Sequence, residues 1–210
     1  MCVIIYKPKG VILEPELLVN AWNENPDGAG FSYWCTANRW ITLKGLMEFE
    51  YFFSSYSPHQ EKELVIHFRI ATHGVVNEKN THPFQDEERD PILYHNGVIG
   101  HFGSDKASDT AEFYHSVLKH VPSSLARVKL LQSLTHHGKF ALLEPTGAIR
   151  LVGTFHELGE GIQASNLSLY YYDEFNEELT EEEMRAGLMP FDIDEWEEEQ
   201  IRRANELGEA

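Results

Sequence analysis

The chain has 210 residues, 42% of them apolar, and a formal net charge of −17 at pH 7. That length suits one domain, or one domain with an appendage, and the composition can fill a substantial core. No run of about 18 apolar residues is present, which excludes a membrane-spanning helix. So acidic a balance argues against nucleic acid or anionic membrane as a partner, because phosphates need a basic face.

The opening "MCVIIYKP" reads as a short strand closed by a Lys-Pro-Lys-Gly turn, with no basic segment leading into a long apolar stretch, so a cytoplasmic protein is expected. "EPELLVNAWNEN" has helix spacing through Leu17, Leu18, Ala21 and Trp22. "NPDGAGFSYWC" turns and then becomes an aromatic strand, and "RWITLKGL" follows as its hairpin partner. "FEYFFSSY" fits a helix or a strand, and its periodicity does not decide. "ELVIHFRIATHG" and "DPILYHNGVIGHF" each begin as a buried strand. "SDTAEFYHSVLKHV" is predicted as a helix with Ser108 at its N-cap and Asp109 in the first turn. "SSLARVKLLQSL" is a second helix, with Leu125, Val128, Leu130 and Leu131 on its apolar side. "KFALLEP" and "GAIRLVG" are strands around a Pro-Thr-Gly turn, and "LSLYYY" is expected to add one more. Strands, then helices, then strands, without regular βαβ alternation, point to an α+β fold with antiparallel sheets.

From Asp173 onward the charge is −12, so most of the net negative charge sits in the tail. Two capping boxes, Thr180 to Glu183 and Asp194 to Glu197, predict helices there. Residues 1–172 are therefore expected as one domain and 173–210 as an acidic helical extension. The two cysteines, Cys2 and Cys35, make no disulfide framework. The eleven histidines are scattered, without C-x-x-C or H-E-x-x-H spacing. Most are read as surface or satisfied polar residues, and neither a metal nor a cofactor is expected.

Cys2 directly follows the initiator methionine. With Met1 removed, which a small second residue permits, Cys2 carries a thiol and a free α-amine together, a nucleophile with its own base. A small buried cysteine at a strand start is the plainer alternative. Further along, "HFRIATHG" puts Arg69, Thr72, His73 and Gly74 at a strand end, and "NTHPF" follows at Asn80 to Phe84. "YHNGVI" supplies Asn96 and Gly97, "SDT" places Asp109 at a helix start, and "NPDGAGF" contains Asp27, Gly28 and Gly30. In this order, together with Cys2, these stretches resemble the class II glutamine amidotransferases, whose glutaminase domain is an N-terminal-nucleophile (Ntn) hydrolase. The resemblance runs over residues 1 to about 172.

The resemblance implies a four-layer αββα sandwich of two antiparallel sheets and hydrolysis of the side-chain amide of L-glutamine through a thioester on Cys2. It assigns the oxyanion to Asn96 and Gly97, the substrate carboxylate to Arg69 with help from Thr72 and His73, and the substrate ammonium to Asp109. An amide donor, a backbone N–H unobstructed by a side chain, a planar cation and a fixed anion suit those tasks. Each has an ordinary alternative: an Asn-Gly turn, a salt bridge for Arg69, a helix cap for Asp109. The family's acceptor domain has no counterpart here, so the expected partner is an ammonia-accepting synthetase on a separate chain. An Ntn amidase acting on another amide, such as a γ-glutamyl compound, and a catalytically silent binding domain are the other readings. Ala111 stands where the family usually has Glu after Ser-Asp-Thr, "GHFGSD" is a different path from "HNGVI" to the helix, and "QASN" at Gln163 to Asn166 is only loosely similar to the family's strand there.

Overall fold

The computed structural model describes residues 2–72 and 74–170. Met1, His73 and the expected extension 173–210 with its two capping boxes lie outside the described residues.

The first half of the chain builds four strands of one sheet and the helices on its outer face. β1 (Val3–Lys7) is followed by α1 (Pro15–Glu24), which starts on a proline, where a missing N–H costs nothing, and buries Leu18, Val19 and Ala21. β2 (Ala29–Trp34) and β3 (Trp40–Leu46) form the predicted hairpin. The undecided "FEYFFSSY" is a helix, α2 (Phe49–Tyr56), and its buried residues Phe49, Phe52, Phe53 and Tyr56 follow the i, i+3, i+4, i+7 rule. β4 (Leu64–Phe68) lies between β1 and β2 and ends one residue before Arg69.

The second half supplies β5 (Ile92–Gly97), α3 (Asp109–Ser116), α4 (Ser124–Ser133), β6 (Gly138–Leu143) and β7 (Ile149–Val152). Ser108 caps α3 as predicted, its Oγ accepting from Ala111 N at 3.2 Å, and Ser123 caps α4 in the same way. Leu125 is not part of the apolar stripe of α4: it is exposed, and Leu131 is the buried contact. Two short strands that the sequence pattern did not reveal, β8 (His156–Glu157) and β9 (Gln163–Ala164), complete the set. "LSLYYY" is no strand over its described part, residues 167–170. Asn166 Oδ1 accepts from both the N–H and the hydroxyl of Ser168, and this local turn replaces ladder pairing.

All sheet pairs are antiparallel: one sheet runs β3-β2-β4-β1-β9-β8, the other β5-β6-β7. Side-chain alternation then sorts the layers. On the outer face of the first sheet, Phe31 and Phe68 meet Phe52 of α2, and Phe68 meets Trp22 of α1. Between the sheets Ile4, Val65, Ile92, Tyr94, Ala141 and Leu143 form one apolar seam. On the far side Leu93, Phe140 and Leu142 pack against Phe113 and Tyr114 of α3 and Leu131 of α4. The order helix, sheet, sheet, helix is the expected four-layer α+β sandwich.

Candidate active site

The alternation that builds the seam also selects what stands at its end. Cys2 is two residues before Ile4, Arg69 four after Val65, and Asn96 two after Tyr94, so strand periodicity carries the three toward the layer between the sheets. There a pocket is lined by Cys2, Arg69, Thr72, Gly97 and Asp109, together with two histidines, His82 and His95. Residues far apart in the chain are thus gathered around one cysteine. Asn96 lies just behind the wall that Gly97 forms. His73 is outside the described residues.

Cys2 Sγ sits against the backbone of Ile70, 3.3 Å from its carbonyl oxygen and 3.4 Å from its N–H. Burial pushes the thiol up from its ordinary range, while the Ile70 N–H and the positive charge of Arg69 work the other way. The thiol is therefore the resting form near neutrality, and a base is needed to make it a nucleophile.

The segment after β4 is held in place by "NPDGAGF". Asp27 N donates to Arg69 O at 2.9 Å, Arg69 N to Gly28 O at 2.9 Å, and Ala71 N to Asp27 Oδ2 at 2.7 Å. Gly30 allows the next layer of support, since a Cβ there would stand 2.1 Å from His82 O. Arg69 is 3% exposed; burial weakens its hold on its proton, and Cys2, Asp27 and Asp109 around it act in the opposite direction. A guanidinium in this setting has the planar donor fork that matches a carboxylate.

Asp109 does not cap its own helix, since Ser108 does that. Its Oδ2 accepts from Ile99 N at 2.6 Å, and its Oδ1 from Thr110 N at 2.8 Å and Thr110 Oγ1 at 3.3 Å. A carboxylate has about four acceptor positions, so room remains for a further donor on Oδ2. The sequence motifs did not single out what positions this carboxylate. Asn80 does so by bridging loops: its Nδ2 donates to Val75 O and Lys106 O, and its Oδ1 accepts from Ser108 N. Gly97 is required where it stands, with φ at +154° and His137 O only 2.1 Å from where a Cβ would be.

Three histidines are exceptions to the expectation that most are surface or satisfied. His67, His82 and His95 are all buried, and the rings of His67 and His82 lie 4.0 Å apart. Both ring nitrogens of His82 and Nδ1 of His67 have no hydrogen-bond partner among the described residues. Burial drives His67 down to about 3, and lowers His82 and His95 as well, so the pocket wall is neutral imidazole. No group of His, Cys, Asp and Glu among the described residues has the geometry to hold a metal.

Residues 163–168 were missed as part of the site, and "QASN" was the one faint signal. Asn166 Nδ2 donates to the backbone oxygen of Cys2 at 2.8 Å. Ser165 Oγ lies 2.9 Å from Ile4 N and 2.8 Å from Asn96 Nδ2. One short segment thus touches both the candidate nucleophile and the candidate oxyanion donor.

Residues 51–164 match the model of the family described as glutamine amidotransferases class-II. The chain belongs to that family. The fold of this amidotransferase is also similar to that of the glutamine phosphoribosylpyrophosphate amidotransferase from B. subtilis, solved with ADP and GMP, at 17% identity and a TM-score of 0.51. That likeness covers 79% of this chain and 42% of the other, so the class II chain spans less than half the length of the protein it resembles. No curated protein matches it. The Ntn-hydrolase fold and the family expected from the motifs are both borne out.

Proposed function

We propose that this class II domain hydrolyses the side-chain amide of L-glutamine through an N-terminal cysteine, after Met1 is removed. The observation that carries this reading is the convergence of Cys2, Arg69 and Asp109 on one pocket. A nucleophile stands there with the opposite charges that a free amino acid requires. Arg69, with Thr72, is assigned the substrate carboxylate, and His73 is kept in the same role. Asp109 is assigned the substrate ammonium, and Asn96 with Gly97 the oxyanion.

The choice of base follows from magnitudes. An α-amine titrates near 7.7 to 8.0 in its ordinary state, close enough to neutrality to take a proton and return it. A buried imidazole held at about 3, as at His67, is too weak a base to deprotonate a thiol that burial has pushed up. The α-amine of Cys2 therefore takes the thiol proton as sulfur attacks the amide carbon. It then gives that proton to the departing nitrogen, which leaves as ammonia. Water attacks the γ-glutamyl thioester, glutamate leaves, and the thiol is restored. The ammonia passes to an acceptor enzyme on another chain. No helix among the described residues is long and apolar enough to cross a membrane, and the proposed setting is the cytoplasm.

The test is glutamine turnover by protein whose first residue is Cys2. Cys2→Ala should lower it by at least about 10³-fold. Arg69→Ala and Asp109→Ala should each raise KM for glutamine more than tenfold, the expected effect of losing a charged substrate contact of roughly 1.5 to 3 kcal/mol. Undiminished turnover by Cys2→Ala would overturn the reading, and selectivity for another amide over glutamine would redirect it to a different amidase.

A further inference from the structure

Ser165 has a task that the motif reading did not give it. It lies in the turn after β9, where its backbone N–H donates to Ile4 O at 2.9 Å and its Oγ accepts from Ile4 N at 2.9 Å. The same Oγ lies 2.8 Å from the side-chain amide of Asn96, and Lys139 Nζ donates to the Ser165 backbone oxygen. Ser165 is fully buried, and it ties the strand that carries Cys2 to the strand that carries Asn96.

The hydrogen-bond count at this junction is informative. With Asn96 Nδ2 donating to Ser165 Oγ, that oxygen accepts twice, and its own proton has no acceptor among the described residues. Asn96 Oδ1 is then buried without a partner among the described residues. A hydroxyl can donate once and accept twice, and a buried polar atom left unpaired keeps its full desolvation cost. An amide has nearly the same shape after a half-turn about its last side-chain bond, which exchanges Oδ1 and Nδ2. The half-turned form lets Ile4 N–H donate to Ser165 Oγ while Ser165 donates to Asn96 Oδ1. Nδ2 then takes the place of Oδ1, which no donor among the described residues reaches.

We infer that Ser165 is a positioning residue that sets the amide orientation of Asn96, so that Nδ2 rather than Oδ1 is presented to the oxyanion. This rests on the reading of Asn96 proposed above. Ile4 N–H gives the arrangement its sense, because a hydroxyl oxygen already accepting from the backbone is left with a proton to donate. The donor held out by Asn96 is unpaired until the tetrahedral oxygen develops, which is when a hydrogen bond lowers a barrier rather than only tightening binding.

Two experiments separate this inference from the function it rests on. In the Cys2-first protein, Ser165→Ala should lower kcat for glutamine about 10- to 100-fold, short of the effect of losing the donor outright, with KM changed less than about threefold. Ser165→Thr, which keeps the hydroxyl, should restore kcat to within several-fold of the parent. An unchanged kcat in Ser165→Ala, or an equal loss in the threonine variant at unchanged thermal stability, overturns the proposal. Neutron diffraction from deuterated crystals reads the orientation without any turnover. Deuterium on the Asn96 atom turned away from Ser165 supports the inference even if glutamine proves not to be the substrate. Deuterium on the atom facing Ser165 Oγ overturns it even if glutamine is hydrolysed.

Discussion

The layer between the two sheets has two ends made by the same strands with opposite results. At the apolar end, the few polar atoms are paired within the protein. Tyr94 donates its hydroxyl to Ser32 Oγ at 2.7 Å and lies 3.1 Å from Val65 O, and Trp40 Nε1 donates to Glu144 O at 2.7 Å. Two residues further along β5, Asn96 Oδ1 is buried with no hydrogen-bond partner among the described residues. The pocket lined by Cys2, Arg69 and the neighbouring Gly97 also holds His82, with both ring nitrogens unpaired among those residues, and His95, with Nε2 unpaired. Buried polar atoms are nearly always satisfied in folded proteins, so the cluster of exceptions among the described residues at this end of the layer fits the proposal that substrate binds there. One end of the seam supplies stability, and the proposed function leaves part of the other end to substrate.

That contrast can be broken from either side. The largest effect is expected at the apolar end, where Leu143→Ala should cost about 2 to 5 kcal/mol of unfolding free energy in urea while KM for glutamine stays as in the parent. A rise in KM without loss of stability would mean that the two ends are not separable.

At the polar end the expected signature is in pH. The histidines are held neutral below their ordinary value of about 6.5, so the unfolded chain binds their protons first as the medium is acidified. Their contribution is complete above about pH 6.5 and is lost as pH falls toward the native value, about 3 for His67. Each such group steepens the decline by about 1.4 kcal/mol per pH unit. Unfolding free energies at pH 7 and 5 should therefore differ less in His82→Gln than in the parent. Equal differences would show that His82 titrates alike in both states.

The sequence made the seam legible more readily than its end. "VIIYK", "LVIHF" and "ILYHNG" carry their pattern locally, and Ser108 announces a helix start because a cap acts within three residues. "FEYFFSSY" was ambiguous because aromatic residues favour strands while their spacing favours a helix, and packing against Phe31 and Phe68 decided the matter. "LSLYYY" misled because the Asn166 side chain captures the backbone two residues on, an effect that hydrophobicity does not report. At the site, Cys2, Arg69, Asn96 and Asp109 were visible through the motifs. Ser165 and Asn166 were not, since their contacts with Ile4, Asn96 and Cys2 span 161, 69 and 164 residues and belong to no local pattern. That both ring nitrogens of His82 and Nδ1 of His67 are buried with no partner among the described residues could not be read from the local sequence, since burial there comes from the packing of strands far apart in the chain.

The central claim is that one terminal residue supplies both the sulfur and the base. It is tested most directly by quenching the Cys2-first protein in acid during glutamine turnover and mapping its peptides by mass. The account predicts one γ-glutamyl group, carried on the peptide that begins with Cys2, and its disappearance when turnover ends. Glutamine consumption with Cys2 unmodified throughout, or with the adduct on Cys35 instead, would contradict it.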